Sequence, residues 1–144
     1  MITAIPPDGW RVMKFVSDSG RDMVQEWLTR TVPIGSRNAV RIELETVLRY
    51  LRMLPIRLWT RPQFAWLQGD HCAGIGEIIL DYDGVPYRPL VCLGPQPDQF
   101  TILMGARKDR KRKGHVQWDP ENALYTARNR QSMLDDEHVT EYVL

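Results

Sequence analysis

Arg107-Lys108-Asp109-Arg110-Lys111-Arg112-Lys113 sets six positive charges in seven residues, directly after the apolar stretch 100–106. Cationic charge concentrated at the end of a buried strand is what binding of a polyanion needs. Only four lysines occur in the chain, and three of them are here. The whole chain carries 19 Lys and Arg against 18 Asp and Glu, so without this run the body is slightly acidic and the positive charge is localised. A solvated basic loop has the same composition, and charge alone does not separate the two readings.

A second set of chemical groups comes from hairpin parity. Asp83-Gly84 is a strong turn signal, because both residues tolerate the positive φ that two-residue hairpins require. With that turn, Tyr82 pairs with Val85, Ile79 with Arg88, and Glu77 lies opposite Leu90. Widening the loop by one residue on each side sets Asp81 opposite Arg88. In both registers Glu77 and Arg88 share a face. Glu77 then either forms a plain salt bridge or orients Arg88 toward a phosphate, a geometry that suits the planar guanidinium.

If the strand ending at Arg107 and Lys108 neighbours the strand around Arg88, three cations converge. Three cations around one phosphodiester stabilise the charge that builds on phosphorus when a ribose 2′-hydroxyl attacks it. Lys108 is also of a type that takes part in proton transfer. Arg110, Lys111, Arg112 and Lys113 would hold flanking phosphates in a salt-dependent way. Tyr82, Tyr87, Trp118 and Tyr125 are the aromatics nearby. Trp118 either stacks on a base or plugs a helix against the sheet. There is no Gly-rich phosphate loop, no nucleophile elbow and no zinc spacing. Cys72 and Cys92 form no ligand pair, and His71, His115 and His138 are scattered, so neither a metal nor another cofactor is expected.

These groups need elements to position them. Residues 1–8 read as an irregular leader and 10–16 as a strand. Asp18 or Ser19 is placed to cap a helix over about 21–31, with Met23, Val24, Trp27 and Leu28 at helical spacing. Ser36 caps a second helix reaching about residue 53, whose apolar stripe is Val40, Leu44, Val47, Leu48 and Leu51. Residues 64–106 read as an antiparallel meander, in which Pro89 marks a strand short of one hydrogen-bonding neighbour. Residues 114–118 read as a loop. Asp119-Pro120 starts the last helix, with Asp as cap and Pro in the first turn, docked through Leu124, Ala127 and Leu134. The tail 135–144 is acidic and is expected to be mobile and able to fold over the basic run.

The whole is a single α+β domain spanning 1–144. Its 144 residues suffice for a sizeable core, and 43% hydrophobic with 26% charged residues is ordinary for a globular protein. No window approaches the ~18 apolar residues of a membrane span. The N-terminus lacks the features of a signal peptide. Two thiols with no evident pairing suit a reducing cytoplasm.

The order of these elements resembles the RelE/HigB toxins of bacterial type II toxin–antitoxin systems, and within them the phage-derived HigB-like branch. The landmarks are Trp10-Arg11-Val12, Glu26-Trp27-Leu28, Phe64-Ala65-Trp66-Leu67-Gln68-Gly69, Gly74-Ile75-Gly76-Glu77-Ile78, Gly84-Val85-Pro86-Tyr87-Arg88, Ile102-Leu103-Met104-Gly105-Ala106-Arg107-Lys108 and Pro120-Glu121 leading to Ala127-Arg128-Asn129-Arg130. The resemblance implies a compact sheet with two packed N-terminal helices. It implies cleavage of mRNA, usually on the ribosome, by 2′-hydroxyl attack without a metal, and inhibition by a cognate antitoxin. Arg88 matches the arginine that contacts the scissile phosphate in that family, Tyr87 stands beside it, and Arg107 and Lys108 match the basic pair after the final strand. Ile79 stands where these toxins commonly carry arginine, and Asp109 where they carry a second lysine. A non-catalytic module on the same fold, binding nucleic acid or a partner protein, is therefore the second expectation.

Overall fold

The computed structural model of the chain describes residues 6, 8–112 and 115–144. The expected leader at 1–8 lies for the most part outside the described residues. The first strand, β1 (Arg11–Phe15), is followed by a turn at residues 17–20, closed by Ser17 N–H to Arg21 O and Gly20 N–H to Ser17 O. That turn uses up Asp18 and Ser19, so neither caps the helix. Asp22 does so instead: its carboxylate accepts from the N–H groups of Val24 and Gln25 at 3.1 and 3.0 Å. Helix α1 (Met23–Glu26) runs on without a break into a π-helical turn over Trp27–Thr31.

Helix α2 (Arg37–Leu51) buries Val40, Leu44, Val47, Leu48 and Leu51, the stripe its periodicity predicts. Two tryptophans close its C-terminal end. Trp59 Nε1 donates to Leu51 O and Trp10 Nε1 to Leu54 O, each at 3.0 Å. Carbonyls at a helix end have no partner within the helix, and an indole N–H supplies one inside an apolar core.

The meander is present. Strands β2 (Phe64–Trp66), β3 (Ile75–Ile78), β6 (Leu90–Leu93) and β7 (Gln99–Met104) lie side by side and antiparallel. With the C-terminal strand β10 (Val139–Glu141) at one edge, the order of the six-stranded sheet is β10-β1-β7-β6-β3-β2, with β1 parallel to β7. One face carries Val12, Ile78, Val91, Phe100 and Ile102 against α1 and α2. The other carries Phe15, Ile75, Leu90, Cys92 and Leu103 against α3 (Ala123–Ser132), through Ala123 and Ala127. Every residue of β7 is buried, as the central strand of a sheet covered on both faces must be. The two cysteines are free and buried, and burial pushes the Cys92 thiol up to about 12.

The Asp83-Gly84 turn forms with φ of 51° and 73°, and Tyr82 pairs with Val85. The chain does not, however, make one continuous hairpin down to Glu77. Strands β4 (Leu80–Tyr82) and β5 (Val85–Tyr87) leave the main sheet and join β8 (Arg107–Arg112) and β9 (His115–Asp119) in a second sheet, ordered β4-β5-β8-β9. The crossing falls at Ile79, whose N–H turns to Gln63 O, and at Arg88-Pro89 between β5 and β6. Proline, with no N–H to give a ladder, sits where no ladder runs.

Three expectations about the C-terminal third are corrected. Residues 115–119 are a strand and not a loop, because they pair with the basic run. Asp119 is the last residue of that strand and is not a helix cap. Asn122 precedes α3, which begins at Ala123. The tail is not a free segment: its edge strand β10 (Val139–Glu141) pairs with β1, on the opposite edge of the main sheet from β2, and not with strand β8.

His138 fastens that tail. Its Nδ1 faces Asp135 Oδ1 and its Nε2 faces Asp18 Oδ1, both at 2.7 Å, and its ring stacks on Phe15. Only the imidazolium donates from both nitrogens. The two carboxylates, Asp18 first, accordingly raise the histidine above its ordinary 6.5, and the His138 hydrogen bond lowers Asp135 below its ordinary 3.8. The histidine's contribution is complete below pH 6.5 and is lost as pH rises through the elevated value; that of Asp135 is complete above 3.8 and is lost as pH falls. The urea midpoint should therefore decline as pH rises above 6.5 in the parent and much less in His138→Gln. Parallel profiles for the two proteins would contradict this assignment.

Candidate functional site

The basic run is a strand. The backbone of Arg107 to Arg112 forms β8, flanked by β5 on one side and β9 on the other. Lys113 lies outside the described residues. Arg107 pairs with Tyr87, and Arg88 N–H donates to Ala106 O at 2.7 Å. The neighbourhood expected of residues 87–88 and 107–108 is thus present in the backbone.

The side chains are arranged differently from the expectation. Arg107 Nε donates to Asp119 Oδ2 at 2.9 Å and lies 3.6 Å from Asp109 Oδ1. Lys108 Nζ donates to Glu77 Oε1 at 2.8 Å and stands 5.3 Å from the centroid of Trp118, its cross-strand neighbour. Arg88 Nη1 donates to Asp81 Oδ1 at 3.0 Å and to the carbonyls of Tyr87 and Leu80. Glu77 therefore holds Lys108 and not Arg88. The switch of sheets at Ile79 is the reason: Glu77 lies in one ladder and Arg88 beyond the end of another, so the parity of a single hairpin no longer relates them.

An open cleft of about 330 Å³ lies between the β4–β5 turn and the start of β8, lined by Gly84, Val85, Pro86, Arg107, Lys108 and Asp109. Arg107 and Lys108 reach it; Arg88 does not line it. Tyr87, expected to orient Arg88, is a core residue packed edge-on to Trp27. Burial raises its hydroxyl, and the nearby Arg107 opposes that rise. Among the described residues no group of three or more His, Cys, Asp or Glu could hold a metal ion.

Exposure separates the cations. Arg107 and its partner Asp119 are both nearly half exposed, at 43% and 46%. Such pairs are worth about 0–1 kcal/mol, so a phosphate can displace the carboxylate at little cost. Glu77 is only 2% exposed, and breaking a buried pair costs about 3–5 kcal/mol. Lys108 consequently keeps Glu77 while any ligand is bound, offering a remaining ammonium N–H to the cleft. Arg88, with its side chain 12% exposed, ties β4 to the end of β5.

Asp81 faces Arg88 as the widened register allows, whereas Asp109 and Asp119 were not assigned as partners of the cations by reasoning from sequence. One signal for Asp119 was available: 115–119 alternates in the manner of a strand, and a strand beside β8 must carry groups that offset its charge. No helix is long and apolar enough to cross a membrane among the described residues. No family model, curated protein or solved structure matches the chain.

Proposed function

We propose that the chain is an mRNA endoribonuclease toxin of the RelE/HigB kind, acting in the cytoplasm on ribosome-bound message and held in check by a cognate antitoxin. One observation carries the reading: Arg107–Arg112 form a strand whose first two cations, Arg107 and Lys108, line one cleft. In this scheme the phosphate displaces Asp119 and Asp109 from Arg107. The guanidinium then stabilises the charge that develops on phosphorus during 2′-hydroxyl attack, and Lys108, anchored by Glu77, supplies a second positive charge. The backbone of Arg110, Lys111 and Arg112 extends the same strand beyond the cleft, and in this scheme these residues bind flanking phosphates in a salt-dependent way.

A second reading is favoured by a specific observation. Arg88, Arg107 and Lys108 each have a carboxylate partner, which suits a protein that binds RNA or an acidic partner and performs no chemistry. Incubation with mRNA and translating ribosomes, followed by mapping of new 5′ ends, separates the two. The toxin reading expects discrete cuts, lost by about 10²–10³-fold in Arg107→Ala at unchanged melting temperature. Undiminished cutting by that variant removes Arg107 from the site. Salt-sensitive RNA binding without cuts supports the second reading.

A further inference from the structure

The outward face of α2 is unusual for a solvated helix. Ile42 and Tyr50 on it, and Met53 in the turn just past its end, are 50%, 48% and 52% exposed. Side chains four apart on a helix stand in one row, and Ile42, Thr46 and Tyr50 form such a row, with Thr46 exposed at its centre. Ala39 and Met53 flank its two ends. The charges beside the row are placed on opposite sides. At about 100° per residue, Glu43 lies about 60° to one side of Thr46 and Arg49 about 60° to the other. Both are exposed. The one acidic partner of Arg49 among the described residues is Glu45 at 3.8 Å, a contact loose enough to exchange.

We propose that this face is the contact of a homodimer, in which two copies of α2 cross on the row Ile42–Thr46–Tyr50 about a two-fold axis running along it. Rows of residues four apart are inclined by about 26° to the helix axis, so a two-fold axis along the row crosses the helices at about 50°, and the small central Thr46 lets the two rows approach. The charges choose both the occupant and the axis. A two-fold axis along the row sets the Glu43 flank of each copy against the Arg49 flank of the other. An axis across the row sets Glu43 against Glu43 and Arg49 against Arg49, which repel. The surface is thus complementary to itself, as an isologous contact requires, and the proposal is independent of RNA cleavage.

Sedimentation of the full-length protein over a range of concentrations is the first measurement, and a monomer–dimer equilibrium is expected. Glu43→Arg and Arg49→Glu should each raise the dimer dissociation constant at least about tenfold, and the double variant should restore it, because both pairs are then exchanged. Ile42→Cys and Thr46→Cys should each form an intermolecular disulfide on mild oxidation, since each residue meets its own counterpart; the native Cys72 and Cys92 are buried. A chain that stays monomeric to about 0.5 mM overturns the proposal and leaves the face to a partner of different sequence. A dimer whose charge-exchanged double variant is not restored, or in which neither cysteine variant crosslinks, overturns it as well.

Discussion

Replacing Lys108 by methionine should destabilise the fold by about 3 kcal/mol, measured by urea denaturation at neutral pH. The lysine is a quarter exposed, but Glu77 is 2% exposed. Its Oε1 accepts from Lys108, and its Oε2 has no hydrogen-bond partner among the described residues. Without the ammonium, Glu77 becomes a buried carboxylate with nothing to offset its charge. Adding Glu77→Gln should recover most of the stability, a coupling that two independent sites would not show. Arg107→Ala, by contrast, breaks an exposed pair and should cost no more than about 1 kcal/mol. A loss below about 1 kcal/mol for Lys108→Met would mean that the buried pair does not have the strength its geometry implies. The contrast also fixes which variant reports on function: activity lost in Arg107→Ala reflects the site, whereas activity lost in Lys108→Met also reflects the fold.

The same pair shows where sequence and structure part. Tyr82 opposite Val85 and Glu77 opposite Leu90 are both legible from the Asp83-Gly84 turn, and both pairings form. What is not legible is that the ladder between them is cut at Ile79, because a chain's choice to change sheets depends on which distant strand receives it. Here the recipient is β8. Six positive charges in seven residues carry no strand signal of their own, since lysine and arginine gain little from a pleated surface by themselves. Strand β8 forms because it is paired on both sides and because the aligned Arg107 and Asp119 offset one another across the ladder. The acidic tail is a similar case. Its order comes from β1, about 125 residues earlier, and from the His138 clasp, and neither is visible locally. The helices needed no such help: Val40, Leu44, Val47, Leu48 and Leu51 are buried as their spacing requires, because the apolar face of a helix is set by its own period.

Gly105→Ala should be at least as damaging as the loss of Lys108, by about 3 kcal/mol or more, although it adds a single methyl group. Gly105 joins β7 to β8, between the buried Met104 and Ala106. A Cβ there would lie 1.9 Å from Cδ2, 2.2 Å from Cγ and 2.3 Å from Cε2 of Trp27. These are atoms of a rigid ring that is itself 6% exposed, so no flexible end can swing aside. Tyr87 packs edge-on against the ring at 6.0 Å, and Tyr87 is the residue paired with Arg107. Displacing Trp27 therefore strains the junction from which β8 departs, and the damage should appear at the cleft as well as in the melting curve. Gly84→Ala is the control, because nothing lies within 4 Å of its added Cβ and only its φ of +73° opposes substitution. That variant should lose about 1 kcal/mol. Trp27→Leu in the Gly105→Ala background should recover part of the loss even though Trp27→Leu alone is destabilising, since the smaller side chain makes room for the methyl group. If Gly105→Ala melts within a degree or two of the parent, the packing of strand β7 onto the π-helical turn is not the rigid junction on which the placement of Arg107 and Lys108 depends.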